Sequence, residues 1–164
     1  MNRTTFALAS TFTLVAAAFV AVVPSRSASA AMLDGLGTWE GTGSMQDAAG
    51  NELGTMSVTV TRTSPGPKKL RNDIKVKLAD GRELVYWQDL EDKGARGFTI
   101  VSNRGTGGGQ CFANGLCQTY EQSRGGHAFA TTLVKDGTDK VRLVTTELEA
   151  GRAVRFFQQS LERK

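Results

Sequence analysis

An all-β domain folded as an antiparallel up-and-down meander follows from three features of this 164-residue chain. Turn-forming residues recur at short intervals. Between them apolar and polar residues alternate with period two, as expected of strands with one dry and one wet face. After residue 30, no window sustains the i, i+3, i+4, i+7 apolar stripe of a core helix. Ala31 to Leu36 is expected to form at most a short turn of helix.

Residues 1–30 read as a signal peptide and 31–164 as a single β-barrel domain. Met1-Asn2-Arg3 gives a positive start, and Phe6 to Val23 is apolar apart from Ser10, Thr11 and Thr13. Pro24 ends the run, and Ala28-Ser29-Ala30 offers the small-x-small pattern cut before Ala31. An exported protein is expected, periplasmic or secreted, with no membrane attachment after cleavage. No Cys follows the apolar run, which argues against a lipid anchor. Removing Arg3 and Arg26 from 20 basic residues leaves 18 against 16 acidic ones, a net +2. Such a balance does not suit a nucleic-acid partner.

The strands follow in order. Met56, Val58 and Val60 alternate with Ser57, Thr59 and Thr61, and Leu70, Ile74, Val76 and Leu78 with Arg71, Asp73, Lys75 and Lys77. Leu84 and Tyr86 precede Phe98 and Ile100. Phe129, Thr131 and Leu133 come next, then Val141 and Leu143, then Val154 and Phe156. Turns are expected at Ala49-Gly50-Asn51, Ser64-Pro65-Gly66-Pro67, Asp80-Gly81, Lys93-Gly94, Asn114-Gly115, Gly125-Gly126, Asp136-Gly137 and Ala150-Gly151. Asp-Gly and Asn-Gly supply the positive φ that tight hairpins need. The run Gly105-Thr106-Gly107-Gly108-Gly109 reads as a flexible connector. It is no phosphate cradle, because Gln110-Cys111-Phe112 follows instead of Lys-Ser or Lys-Thr. Nine or ten strands in a meander leave costly edges unless the sheet closes, so a barrel is favoured over a sandwich.

The first strand reads Leu36-Gly37-Thr38-Trp39-Glu40-Gly41-Thr42-Gly43. This Gly-x-Trp opening resembles the start of calycin-like barrels, namely lipocalins, avidins, nitrobindins and uncharacterised exported bacterial families. The resemblance implies that Trp39 plugs one barrel end beneath an Arg from the last strand, for which Arg152 or Arg155 is available, Arg155 being preferred. Avidins ring their biotin with several tryptophans, whereas only Trp87 accompanies Trp39 here. Nitrobindins hold haem through a His near the C-terminus. The single His127 lies well before the last strands, so that ligand does not carry over.

Cys111 and Cys117 bracket Phe112-Ala113-Asn114-Gly115-Leu116, a hairpin tip. Pairing Phe112 with Leu116 sets the cysteines opposite each other on one face, and an oxidising compartment then favours a disulfide. The five-residue spacing is not the Cys-x-x-Cys of redox enzymes. His127 reads as a turn-flanking residue at a strand start, with no second His for a metal site. The acids Glu83, Asp89, Glu91, Asp92, Glu147 and Glu149 read as solvating loops and strand faces, and the basic cluster from Lys68 to Lys77 as a wet strand face. No catalytic residue, metal site or cofactor is expected.

Tyr86, Phe98, Ile100, Phe129 and Phe156 are the residues expected to face a cavity. The function that follows is non-catalytic binding of a small apolar or amphipathic ligand. The alternatives are a filled structural barrel of the envelope and, more remotely, a haem protein using His127.

Overall fold

Ten strands and one short 3-10 turn make up the computed structural model, which describes residues 35–112 and 114–164. The expected leader, its expected cleavage site and most of the Ala31–Leu36 segment lie outside the described residues. In chain order the strands are β1 (Gly37–Asp47), β2 (Glu52–Gly66), β3 (Lys69–Leu78), β4 (Glu83–Asp92), β5 (Phe98–Ser102), β6 (Gly105–Cys111), β7 (Leu116–Ser123), β8 (His127–Lys135), β9 (Lys140–Glu149) and β10 (Arg152–Arg163). The 3-10 turn, Gly94–Arg96, lies between β4 and β5.

Each strand pairs antiparallel with the one before it, and β1 pairs with β10 to close the barrel. The closing ladder sets Trp39 opposite Arg163 and Asp47 opposite Arg155. The expected meander and its closure are therefore both present. Closure leaves no row of unpaired backbone N–H and C=O groups at a sheet edge.

The period-two pattern sorts residues as the sequence indicates. Met56, Val58 and Val60 on β2, and Ile74 and Val76 on β3, are buried with Trp39, Val141 and Leu161. Leu70, Leu90, Phe98, Ile100 and Cys111 form a second buried cluster. Lys69, Lys75 and Lys77 point outward on β3. The Cys111–Cys117 disulfide is formed, with the two residues directly opposite in the β6–β7 register. A loop this short contributes only about 2 kcal/mol by chain entropy.

Three local expectations are corrected. Ser64, Pro65 and Gly66 belong to β2, and the bend is confined to Pro67 and Lys68, where Lys68 has φ 62°. A register shift between Thr63 and Gly66 takes up Pro65, which has no N–H for the ladder. Phe156 was expected inside together with Val154. The register slips between Ala153 and Arg155, and from there Phe157, Gln159 and Leu161 face inward while Phe156 does not line the cavity. With two consecutive phenylalanines, the alternation alone does not choose between them.

The third correction is the glycine run. Gly105–Gly109 is not a connector but most of β6, hydrogen-bonded on both sides. Its glycines are required by close approach of the neighbouring backbone. A Cβ on Gly107 would lie 2.7 Å from the Cα of Glu121, and nearer still to the Tyr120 carbonyl oxygen. On β1, a Cβ on Gly41 would lie 2.9 Å from the Cα of Leu161 and would clash with the Ser160 carbonyl. Around the ring β1 and β6 are five places apart, opposite each other. The barrel thus turns its corners on two facing glycine strands. Gly41→Ala and Gly107→Ala should each destabilise by about 1–3 kcal/mol through overpacking. Gly66→Ala, which meets nothing within 4 Å, should stay within about 0.5 kcal/mol of the parent. Urea denaturation midpoints at constant m-value measure the contrast.

Candidate functional site: the barrel interior

The inward side chains do not fill the barrel. They leave a cavity of about 210 Å³ to whose wall all ten strands contribute. Its middle is apolar, with Val58, Val60, Ile74, Ile100, Leu133 and Leu143 on facing strands. The volume falls just below the roughly 300–1,000 Å³ of pockets that take drug-sized molecules, which indicates a small occupant.

One end of the barrel carries the start of β1 and the β2–β3, β4–β5, β6–β7 and β8–β9 hairpins. Here the Trp39 indole is buried and its Nε1 donates to the Gly35 carbonyl at 2.7 Å. The cation over its ring is Arg62 from β2, with the guanidinium carbon 5.4 Å from the ring centroid. Arg155, expected in that position by resemblance, is at the opposite end of the barrel instead. Arg62 lines the cavity, and its Nε is buried without a hydrogen-bond partner. Burial pulls its pKa down to about 10, which still leaves it charged at neutral pH. Asn72 Oδ1, also on the cavity wall, is buried without a partner as well.

The opposite end is closed by a polar network. Glu121 is buried and accepts hydrogen bonds from Ser102 Oγ and, at 2.7 Å, from Gln88 Nε2. Ser102 Oγ in turn accepts the Arg104 and Gly105 N–H groups at 3.0 and 2.9 Å. The Arg104 guanidinium sits between Tyr86 and Phe129, 4.8 and 4.3 Å from the ring centroids. Glu147 is buried and makes a two-point ion pair with Arg155, at 2.7 and 2.9 Å. His127 Nδ1 is 3.0 Å from the same carboxylate, out of line for a hydrogen bond.

Of the residues expected at a cavity, Tyr86, Phe98 and Ile100 line it. Phe129 lies at the closed end under Arg104, and Phe156 is not on the wall. His127 begins β8 but does not line the cavity. Glu147 and Asp92, expected on wet faces, are buried. Arg62, Asn72, Arg104 and Glu121 went unnoticed in the sequence. For the first two the signal was a polar residue on the apolar parity of its strand, as Arg62 is after Val58 and Val60 and Asn72 is between Leu70 and Ile74. Arg104 lies between β5 and β6 and Glu121 on a largely polar strand, so neither gave one. Among the described residues no group of three or more His, Cys, Asp or Glu could hold a metal ion, and no helix is long and apolar enough to cross a membrane.

Fold and interior together define a closed ten-stranded antiparallel β-barrel meander with an internal cavity. No protein-family model matches the sequence, and no curated protein matches it. Among solved structures, the chain is similar to an S-type phycobiliprotein lyase from Guillardia theta. The TM-score is 0.69 and the identity 10%, over 85% of this chain and 93% of that one. It is also similar to a protein of unknown function from the DUF3598 family of Nostoc punctiforme, with TM-score 0.61 and 13% identity over 81% of this chain. The match spans 49% of that longer protein. At these identities the likeness is one of fold.

Tyr86 provides a reporter of the interior. Desolvation raises its phenol above the ordinary tyrosine range, opposed by Arg104 and reinforced by Glu121. A raised folded-state pKa means that the neutral phenol stabilises the fold below about pH 10, and that this contribution is lost as pH rises through the raised value. Absorbance titration of the phenolate should show a late phase that Tyr86→Phe removes. Stability measured along the same titration should fall less steeply in that variant.

Proposed function

We propose that this protein is an exported, non-catalytic binding module that holds one small amphipathic molecule inside its barrel. The open, largely apolar cavity carries this reading, since a barrel serving only as an envelope scaffold gains stability by filling its interior. Two polar atoms left unsatisfied on the wall favour an occupant with a polar end. The lipocalin-like Gly-x-Trp opening, and the fold shared with a phycobiliprotein lyase, fit a barrel that handles a small molecule. Haem is disfavoured because His127 sits beside Glu147 and off the cavity wall. Export is supported by the apolar leader with its Ala-Ser-Ala site and by the disulfide, which suits an oxidising compartment.

Native mass spectrometry of the purified domain should reveal a copurified or added small amphiphile bound one to one. Leu143→Trp, which fills the cavity from its wall, should weaken that binding by about tenfold or more while leaving the β-sheet circular dichroism unchanged. Retention of full affinity in the filled variant would move the site elsewhere. The exported protein should carry Ala31 as its first residue, read by N-terminal sequencing. A product that keeps Met1 would end the export reading without touching the binding one.

A further inference from the structure

A buried guanidinium without a counter-charge loses its water and gains little in return. Arg62, half-buried with its Nε shielded from solvent, comes near that condition among the described residues. Its Nε is buried and unbonded, and burial alone, with no carboxylate acting on it, accounts for its lowered pKa. Arg155 and Arg104, at the opposite end of the barrel, are better provided for. Arg155 has the two oxygens of Glu147, and Arg104 lies between two aromatic rings near Glu121. Arg62 has one face of Trp39 and the cavity.

We infer that Arg62 binds the carboxylate of a small monocarboxylic ligand whose apolar part lies against Ile74, Ile100 and Leu143. This rests on the ligand-binding reading of the same cavity and adds the chemical class of the ligand. The guanidinium donates to both carboxylate oxygens in the fork geometry it favours, and ring contact with Trp39 orients it. Lys135, the other cation on the wall, already has an interaction of its own, so the single charge left at Arg62 matches one carboxylate. A dianionic phosphate would carry an uncompensated charge into the apolar belt. The position of Arg62 places the head group at the hairpin end of the cavity, and the tail then runs toward the middle of the barrel.

Isothermal titration of the purified domain with octanoate, octan-1-ol and octyl phosphate tests the assignment. The parent should bind octanoate about tenfold to a hundredfold tighter than octan-1-ol, the span of one charge-assisted hydrogen-bonded pair. Arg62→Met should abolish that preference, with the loss falling far more on octanoate than on octan-1-ol, while Arg62→Lys keeps part of it. The empty Arg62→Met protein should melt no lower than the parent, because an uncompensated charge is removed. A merely structural Arg62 would give the opposite shift. Equal affinity of the parent for octanoate and octan-1-ol, or a preference that survives in Arg62→Met, overturns the anion site while the cavity reading stands. Tighter binding of octyl phosphate than of octanoate overturns the choice of carboxylate. Failure of the parent to bind any of the three overturns this assignment together with the reading it rests on. Should Arg62→Met fail to fold, the octanoate preference of the parent and its change in Arg62→Lys decide.

Discussion

The ladder between β1 and β10 turns a row of hairpins into a vessel. Without it, the ten-strand meander would have two open edges, on β1 and on β10, and no defined interior. With it, one face of each strand looks inward, and the burial of Trp39, Val58, Ile74, Val141 and Leu161 follows from their parity. The same closure requires the sheet to curl sharply. Gly41 and Gly43 on β1, and the glycines of β6 on the far side, allow neighbouring backbone to approach where a side chain would collide.

Charge inside such a vessel has to be either compensated or reserved. At the closed end it is compensated: Glu147 meets Arg155, Glu121 takes two hydrogen bonds, and Arg104 lies between Tyr86 and Phe129. These contacts leave the charges at that end facing groups that need each other. At the hairpin end, Arg62 and Asn72 retain unsatisfied polar atoms on the cavity wall. The interior is polarised, with a settled end and an unsettled one. That asymmetry supports the proposed binding role over a packed core.

How far the site was legible depended on the kind of residue. Tyr86, Phe98 and Ile100 stand on strands with clear alternation, and they do line the cavity. The disulfide was readable because Cys111 and Cys117 bracket a hairpin tip, a local relation. Phe156 was not readable, because Phe157 follows it and a bulge between Ala153 and Arg155 settles the parity. Arg62 followed the apolar parity of β2, but a charged residue near a strand end is more often a wet one. Its role as the cation over Trp39 had been expected of Arg155 on the last strand.

The linear pattern by itself determined the strands, most turns, the closing tendency and the pinned β6–β7 loop, because alternation, turn chemistry and cysteine spacing act within a few residues. Which glycines bear close backbone contact, which carboxylates are buried, and which arginine stands unpaired at a cavity were decided only by the tertiary structure. Those properties depend on residues far apart in the chain that meet when the ring closes. The cavity itself is of this kind, a volume that no single strand encodes and that all ten leave between them.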